Sequence, residues 1–283
     1  MERNFTMTLI EAIVLGLVQG LTEFLPISSS AHLVITQMLF NISFPGFGFE
    51  ILLHLGSVLA VIIYYRKDLI ELIIGFFSYI KNRSEENKTN FWFSIYILVA
   101  TIITGVSGIL FEDYISTALK GPTMIAISLT ITGIFLIIIE RAVRTGGRTE
   151  RDMTLFDSVI IGIGQSLALI PGLSRSGTTL VVGMFAGLTK ETAVRYSFLL
   201  SIPVILGSTV LAIKDLLNGE LLAVAGAFPL IVAFIVTFIS SLLGIVWFIN
   251  FLKKSKLIYF AIYCFVLALF VFIFLGDVDP DLF

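Results

Sequence analysis

Pro171-Gly172-Leu173-Ser174-Arg175-Ser176-Gly177-Thr178-Thr179 lies between two apolar runs, Val159 to Ile170 and Leu180 to Leu188. Pro171 predicts the end of the incoming helix, and the two glycines allow a tight turn before the next helix begins. The free N–H groups of a helix N-terminus and the fork of Arg175 favour an anion. Because a charge at membrane depth is costly, the arginine indicates a function; the alternative is a kinked helix whose hydroxyls are satisfied internally. We predict that an anion, whose phosphate or carboxylate oxygens Arg175 can grip, is contacted by Gly172, Ser174, Arg175, Ser176, Gly177 and Thr179.

The composition indicates a polytopic membrane protein. Of the 283 residues, 57% are hydrophobic and 13% are charged, and the mean hydropathy is +1.03. A net charge of -2 and a pI near 5.7 argue against nucleic-acid binding. The one cysteine, Cys264, excludes an intramolecular disulfide. The first apolar run contains Glu11, Gln19 and Glu23, so we expect it to stay in the mature protein and not to be cleaved as a signal.

A second polar break interrupts the apolar segment from Thr8 to Phe40, at Leu25-Pro26-Ile27-Ser28-Ser29-Ser30. Gln19 and Glu23 stand four residues apart before it and share a helix face, and His32 follows it. Alone, Glu23 is compatible with an interfacial carboxylate and His32 with a hydrogen-bonded packing histidine. Together with the serines around one break, they favour a reactive site.

Glu50 and His54 form another pair at a spacing of four residues, within the apolar run from Phe47 to Tyr65. This spacing places both side chains on one helix face, from which they could support the polar site. An ion pair at the membrane interface is an equally open interpretation.

Hydropathy predicts six membrane crossings. They run from Phe47 to Tyr65, Phe91 to Leu110, about Thr123 to Ile139, about Ala193 to Ile213, within Leu221 to Leu252, and from Leu257 to Leu275. An amphipathic piece, Leu69 to Ile80, follows the first crossing. The run after Leu221 exceeds one membrane thickness, so part of it is expected to lie along the interface or tilt, with a break at Pro229.

The positive charges predict which loops face the cytoplasm. Thirteen of the 18 basic residues fall in three regions: five at 66–88, five that flank the broken segment at 141–151 and 190, and three at 253–256. Since the second region flanks the broken segment on both sides, that segment is predicted to be a re-entrant hairpin entered from inside. The first broken segment then dips from outside, both termini lie outside, and the site opens outward.

This arrangement predicts an inverted repeat, with a first half of about residues 1–145 and a second of about 146–283, in one membrane domain. Three crossings in each half give the halves opposite orientations. Gly16-Leu17-Val18-Gln19-Gly20-Leu21 echoes Gly162-Ile163-Gly164-Gln165-Ser166-Leu167, and a proline and serines follow each. Gln165, like Gln19, is therefore expected to support the site. We predict an all-α polytopic membrane protein of six transmembrane helices and two re-entrant helical hairpins.

The two motifs resemble those of the undecaprenyl-diphosphate phosphatase family, also called the bacitracin-resistance type, over nearly the whole chain. One family motif, (Glu/Gln)-x-x-x-Glu, matches Gln19 to Glu23, followed by the serines and His32. The other, Pro-Gly-x-Ser-Arg-Ser-x-x-Thr, matches Pro171 to Thr179 and is highly specific. The resemblance implies hydrolysis of a polyprenyl diphosphate to its monophosphate in the plasma membrane, usually with a divalent cation, at a site reached from the outer leaflet.

Phosphoryl transfer needs charge neutralisation, an aligned nucleophile and a proton-handling group. We expect the loop around Arg175 to bind the diphosphate, with Ser28 as a further phosphate contact. Ser29 is favoured as the nucleophile or primary phosphate contact, with Glu23 and His32 handling protons; His32 as nucleophile stays open. Glu23 is also a candidate metal ligand. Because Gln19 stands where many relatives have glutamate, Mg²⁺ or Ca²⁺ is expected to bind largely through the diphosphate.

A transporter or flippase for an anionic lipid or small anion is the competing interpretation, because secondary transporters also bind anions between inverted repeats with broken helices. A carrier has no need for a carboxylate, a hydroxyl and an imidazole facing its anion site, and this favours the enzyme. Both a monomer and a homodimer stay open.

Overall fold

A computed structural model describes residues 7–44, 48–111, 121–142, 146–211, 213, 219–254 and 256–276. The chain is helical throughout these ranges, apart from loops and one isolated β-bridge between Arg148 and Leu188. The helices are α1 (Leu9–Thr22), α2 (Ser29–Phe40), α3 (Gly48–Tyr64), α4 (Arg66–Asn82), α5 (Glu85–Leu110), α6 (Pro122–Ala142), α7 (Leu155–Leu167), α8 (Arg175–Phe185), α9 (Lys190–Leu211), α10 (Glu220–Ala225), α11 (Ala227–Lys254) and α12 (Ile258–Phe274), with a 3₁₀ turn at Glu150–Asp152.

Several of these helices are long and apolar enough to cross a bilayer, as expected of a polytopic membrane protein. Within the described ranges they are α5, α6, α9 and α11, and α3 with α4 makes a fifth if the two count as one span bent by 75°. Helices α3 and α12 have 17 residues each, short of the roughly 20 that an untilted crossing needs. The count of six crossings stays a prediction.

The break in the long apolar run after Leu221 lies elsewhere than predicted. Helix α10 ends at Ala225, Gly226 adopts a φ of 77°, and α11 begins at Ala227. Pro229 falls in the first turn of α11, where a missing backbone N–H costs no helical hydrogen bond. The prediction of a break at Pro229 was therefore wrong.

Both polar breaks separate two short helices, α1 from α2 and α7 from α8, and the members of each pair pack together. One helix of each pair also packs against a long helix from the other half of the chain. Helix α1 packs against α11, where the Ser240 hydroxyl donates to the Gly16 carbonyl oxygen at 3.2 Å. Helix α7 packs against α5, where the Thr104 hydroxyl lies 3.4 Å from the Gly162 carbonyl oxygen.

Arg148 closes the open end of the α7–α8 hairpin. Its guanidinium donates to both carboxylate oxygens of Asp157, at 3.0 and 2.6 Å, and to the Ala186 carbonyl oxygen at 2.6 Å. Hydrogen bonding to Asp157 raises the pKa of Arg148. The start of α7 and the end of α8 are therefore held side by side, which leaves the polar break at the far tip.

Arg195 anchors the same side of the molecule. It pairs with Asp68 of α4 at 2.8 Å and with Glu150 at 2.5 Å, and its guanidinium lies 5.3 Å from the centre of the Phe93 ring. This network joins α4, α5 and α9 around the base of the α7–α8 hairpin. Asp68 and Glu150 fall in the basic regions that the sequence assigns to the cytoplasmic side, and Arg195 follows the second of these regions.

Candidate active site

Glu23 lies at the centre of the candidate site, at the end of α1, with only 5% of its surface exposed. Its Oε2 accepts hydrogen bonds from Gln19 Nε2 at 2.8 Å and from Ser29 Oγ at 2.6 Å. Its Oε1 is paired with Arg175 Nη2. The carboxylate thus joins the two polar breaks, and an anion buried at this depth is compensated by a guanidinium and two neutral donors.

Ser28 sets the position of the nucleophile candidate. It has a φ of 66°, unusual for a residue other than glycine, and its Oγ accepts from the Ala31 N–H at 3.3 Å to cap α2. Ser29 is therefore the first residue of α2, and its hydroxyl points to Glu23. Ser28 Oγ also lies 3.2 Å from Ser30 Oγ. In this structure Ser28 acts as a cap, and its predicted phosphate contact stays a prediction.

His32 lies one turn further along α2 and is hydrogen bonded through both ring nitrogens. Nδ1 lies 2.7 Å from the Ser28 carbonyl oxygen, and Nε2 lies 2.6 Å from the hydroxyl of Tyr263 on α12. Tyr263 was not predicted from the sequence, because a tyrosine within a 17-residue apolar helix is also typical of a membrane interface.

The second break has a cap of the same kind. Ser174 Oγ accepts from the Gly177 N–H at 3.0 Å and caps α8, so Arg175 is the first residue of α8, as Ser29 is of α2. Gly172 has a φ of 89°, and a Cβ atom there would lie 2.8 Å from Ser128 Cβ. A side chain at Gly172 would therefore be strained both by the backbone conformation and by contact with α6.

The two breaks are in direct contact. Ser176 Oγ donates to the Leu25 carbonyl oxygen at 2.8 Å, and Ser174 Oγ lies 3.5 Å from the same oxygen. A Cβ atom at Gly177 would lie 3.2 Å from Pro26 Cβ, so the absence of a side chain permits this close approach. Ser174, Ser176 and Gly177 thus hold the two hairpin tips together in this structure, and their predicted contact with phosphate stays a prediction.

Arg175 has one guanidinium nitrogen without a partner. Nη2 is paired with Glu23, whereas Nη1 is buried and donates no hydrogen bond to any residue that the structure describes. The side chain as a whole is only 16% exposed. Since an unpaired guanidinium N–H is costly to bury, this nitrogen points to an anionic oxygen that completes the site.

Three other residues that were predicted from the sequence lie at or near the Glu23 carboxylate. His54 donates from Nδ1 to the Glu50 backbone carbonyl oxygen at 2.7 Å, and its Nε2 lies 3.4 Å from Glu23 Oε2. His54 therefore faces the carboxylate directly. Glu50 contributes this carbonyl oxygen from the first turn of α3. Gln19 is fully buried beside Glu23, and its Oε1 has no hydrogen-bond partner among the described residues.

Thr179 and Gln165 lie further from the carboxylate. The Thr179 hydroxyl donates to the Arg175 carbonyl oxygen at 2.9 Å or shares a hydrogen bond with Ser197 Oγ at 2.6 Å, and so helps to fix α8 on α9. Gln165 donates to Thr104 Oγ1 at 2.9 Å, between α7 and α5. Gln165 thus occupies in the second hairpin the position that Gln19 has in the first. Its supporting role stays a prediction.

The residues present do not form a metal site by themselves. Across the described ranges, no group of three or more His, Cys, Asp or Glu side chains is placed to hold an ion. The oxygens of Glu23 already face donors from Gln19, Ser29 and Arg175. A cation held by protein ligands alone therefore does not fit this donor set.

This chain is similar to known proteins over nearly its full length. The profile of a family described as "Bacitracin resistance protein BacA" matches residues 12–270. Undecaprenyl-diphosphatase 1 of Shouchella clausii is 68% identical over 276 residues, which cover 96% of this chain and 100% of that protein. Undecaprenyl-diphosphatase 2 of Halalkalibacterium halodurans is 64% identical over 95% of this chain and 96% of its own length. Undecaprenyl-diphosphatase 1 of Bacillus cereus is 47% identical over 93% and 96%, respectively.

Proposed function

The chain belongs to the bacitracin resistance protein BacA family, and on this basis we propose that it hydrolyses undecaprenyl diphosphate, or a closely similar polyprenyl diphosphate, to the monophosphate and inorganic phosphate. Such a reaction recycles the lipid carrier used in cell-envelope glycan synthesis. The enzyme is a membrane-embedded phosphoric anhydride hydrolase.

The observation that carries this proposal is the buried, unpartnered Nη1 of Arg175 beside the Ser29–Glu23 hydrogen bond. Arg175 Nη2 and Ser29 Oγ contact the two oxygens of the same Glu23 carboxylate, so a phosphate bound by Nη1 would be held next to the residue that orients the serine. A candidate anion donor and a hydroxyl bonded to a carboxylate thus adjoin the same residue, which is the combination that phosphoryl transfer needs.

In the reaction, Ser29 Oγ attacks the terminal phosphorus while its proton passes to Glu23, which is 2.6 Å away. The bridging P–O bond breaks, and its electron pair leaves with the polyprenyl monophosphate. Arg175 stabilises the charge on the transferred phosphoryl group. Water then attacks the phosphoserine, inorganic phosphate leaves, and the proton on Glu23 returns to Ser29.

His32 completes the site as a second proton-handling group. The contacts favour Ser29 over His32 as nucleophile, because both His32 ring nitrogens are already engaged, by Ser28 and by Tyr263. His32 as nucleophile is the alternative, and trapping of the phosphorylated residue distinguishes the two. A divalent cation, Mg²⁺ or Ca²⁺, would be held largely by the diphosphate and would neutralise part of its charge.

We further propose that the chain is an inverted repeat of six crossings and two re-entrant hairpins in the plasma membrane, with the site open to the outside. The swapped packing of α1 on α11 and α7 on α5 supports this repeat. Corresponding helix caps support it too. Thr154 follows Thr8 by the same number of residues as Ser174 follows Ser28, and the members of each pair cap corresponding helices. Basic residues on the other side support the outward orientation.

The direct test is phosphate release from purified protein given long-chain and short-chain prenyl diphosphates, with and without a chelator. Wild-type protein should release phosphate, Ser29→Ala should not, and Ser107→Ala, a change of a remote α5 hydroxyl bonded to the Ile103 carbonyl oxygen, should match wild type. If folded protein binds the diphosphate but releases no phosphate, the phosphatase proposal fails and a carrier replaces it.

A further inference from the structure

We propose that Tyr263 is a positioning residue for His32, and that its hydroxyl fixes the tautomer and the orientation of the imidazole in the active site. The contact between the two side chains stands independently of the reaction, but the catalytic consequence rests on the function proposed above. The argument depends on which atoms can donate a hydrogen bond and which can only accept one.

The first contact defines the proton on Nδ1. His32 Nδ1 lies 2.7 Å from the carbonyl oxygen of Ser28, and a carbonyl oxygen can only accept. Nδ1 therefore carries a hydrogen, and in the neutral ring Nε2 holds the lone pair. The N-terminal turn of α2, which Ser28 caps, thus selects the tautomer.

The second contact uses that lone pair. The Tyr263 hydroxyl lies 2.6 Å from Nε2, so it donates to the neutral imidazole. The two rings are nearly parallel, with an interplanar angle of 4° and centroids 5.5 Å apart. With one edge of the imidazole held by the backbone and the other by the phenol, ring rotation would break at least one hydrogen bond.

The helix that carries Tyr263 is fixed against the site at the neighbouring residue as well. Cys264 is buried, and its Sγ lies 3.9 Å from the Pro26 carbonyl oxygen in the first break. Helix α12 also packs closely on α6, where a Cβ atom at Gly133 would lie 3.0 Å from the Phe265 ring. The phenol therefore has a defined place and is more than a mobile side chain at the lipid boundary.

Removal of the Tyr263 hydroxyl should affect turnover through His32. Without the hydroxyl, Nε2 would lose its donor and the ring would gain rotational freedom about its remaining contact. Turnover should fall, because proton transfer depends on the direction of the ring nitrogen. Substrate binding should change little, since Tyr263 contacts neither Arg175 nor Glu23 in any hydrogen bond of the described residues.

Tyr263→Phe removes only the hydroxyl, and Tyr259→Phe is the matched control one turn earlier on α12, where the ring packs near Phe251. We expect Tyr263→Phe to lower kcat about tenfold, a loss corresponding to one hydrogen bond, with KM within about twofold of wild type. Tyr259→Phe should keep both constants.

Nitrogen NMR of protein labelled at histidine provides a readout that needs no turnover. The chain has two histidines, so the His32 signals can be assigned by their loss in His32→Ala. We expect wild type to carry the proton on Nδ1, and Tyr263→Phe, but not Tyr259→Phe, to shift the Nε2 signal toward that of a nitrogen without a donor.

Unchanged His32 signals in Tyr263→Phe, a proton on Nε2 alone in wild type, or an unchanged kcat would each overturn the positioning role. A fall in kcat without a change in the signals would also overturn it, because the substitution would then act elsewhere. If wild type hydrolyses no prenyl diphosphate while the signals shift as expected, the proposed function fails and the positioning of His32 stands.

Discussion

Glu23 shows how one residue determines what its neighbours can do. A carboxylate with 3% of its side chain exposed is stable here because donors from both hairpins converge on it. The same contacts align Ser29 and leave one end of Arg175 unoccupied. The site is therefore pre-organised before substrate arrives, and substitutions there should affect turnover more than folding.

Arg175→Lys should lower phosphate release by about two orders of magnitude or more, although the charge is kept. A lysine ammonium cannot contact Glu23 and a phosphate oxygen with two nitrogens held in one plane. Steady-state phosphate release measures the loss, and the thermal midpoint should stay close to that of wild type. The matched control is Arg151→Lys, at an exposed arginine; near-normal hydrolysis by folded Arg175→Lys would contradict the phosphate clamp.

Glu23→Gln and Ser29→Ala should each lower turnover at least about a hundredfold, since one removes the proposed base and the other the proposed attacking oxygen. Their combination should cost far less than the product of the two losses, because residues that act in one step are non-additive. Single-turnover rates of wild type, the two single variants and the double variant form a double-mutant cycle. Losses that multiply would show that the 2.6 Å hydrogen bond has no part in the chemistry.

At the scale of the elements, both hairpins use one plan: a capped short helix, a polar break, a second capped helix. The residue after the second cap differs in chemistry, a serine in α2 and an arginine in α8. Both of these first-turn residues reach Glu23. The two hairpins, built alike, thus place a candidate nucleophile, Ser29, and a cation, Arg175, at the Glu23 carboxylate.

Arg148→Ala should destabilise the α7–α8 hairpin by about 1–3 kcal/mol, because it leaves Asp157 buried without its cation. The Asp157 side chain is 3% exposed and that of Arg148 is 35% exposed, so solvent compensates only part of the loss. Thermal unfolding in detergent measures the effect, and Asp157→Asn in the same background should recover part of it. If Arg148→Ala unfolds like the exposed control Arg151→Ala, the Arg148–Asp157 ion pair contributes nothing to stability.

Much of this arrangement could be predicted from the sequence, because charge within apolar segments is costly and therefore informative. Arg175, Glu23 and the two breaks were found in this way, and the structure brings them together. The capping roles of Ser28 and Ser174 were not predicted, since a hydroxyl can serve a ligand or a helix end equally well. His54 was expected behind the site but faces Glu23, because spacing along a helix does not specify which neighbouring helix it meets.

At the scale of the whole molecule, the helices separate a charged side from a polar site. Arg148 and Arg195 hold the base of the second hairpin, and the Glu23 cluster lies at its tip. A substrate with a long apolar tail could leave that tail in lipid while only the diphosphate enters. Such a route avoids carrying the phosphate charge through hydrocarbon.

The orientation can be tested with single cysteines in a Cys264→Ser background. Ser43→Cys, at an exposed residue after α2, should react with an impermeant thiol reagent added outside intact cells, because that loop is predicted to lie outside. Glu86→Cys, exposed in the first basic region, should react only after the cells are opened. The reverse pattern would place the site on the cytoplasmic face. Asp277, a third informative position, lies outside the described residues.

The pairing of α1 with α11 has a consequence for biosynthesis. The ribosome completes α1 about 200 residues before it begins α11, a delay on the order of 10–40 s at usual elongation rates. During this time α1 can pack against α2 and α3, but it lacks α11. We expect the translocon or a chaperone to shelter the exposed face of α1, and the proposed hydrolytic site cannot form before Arg175 has been made.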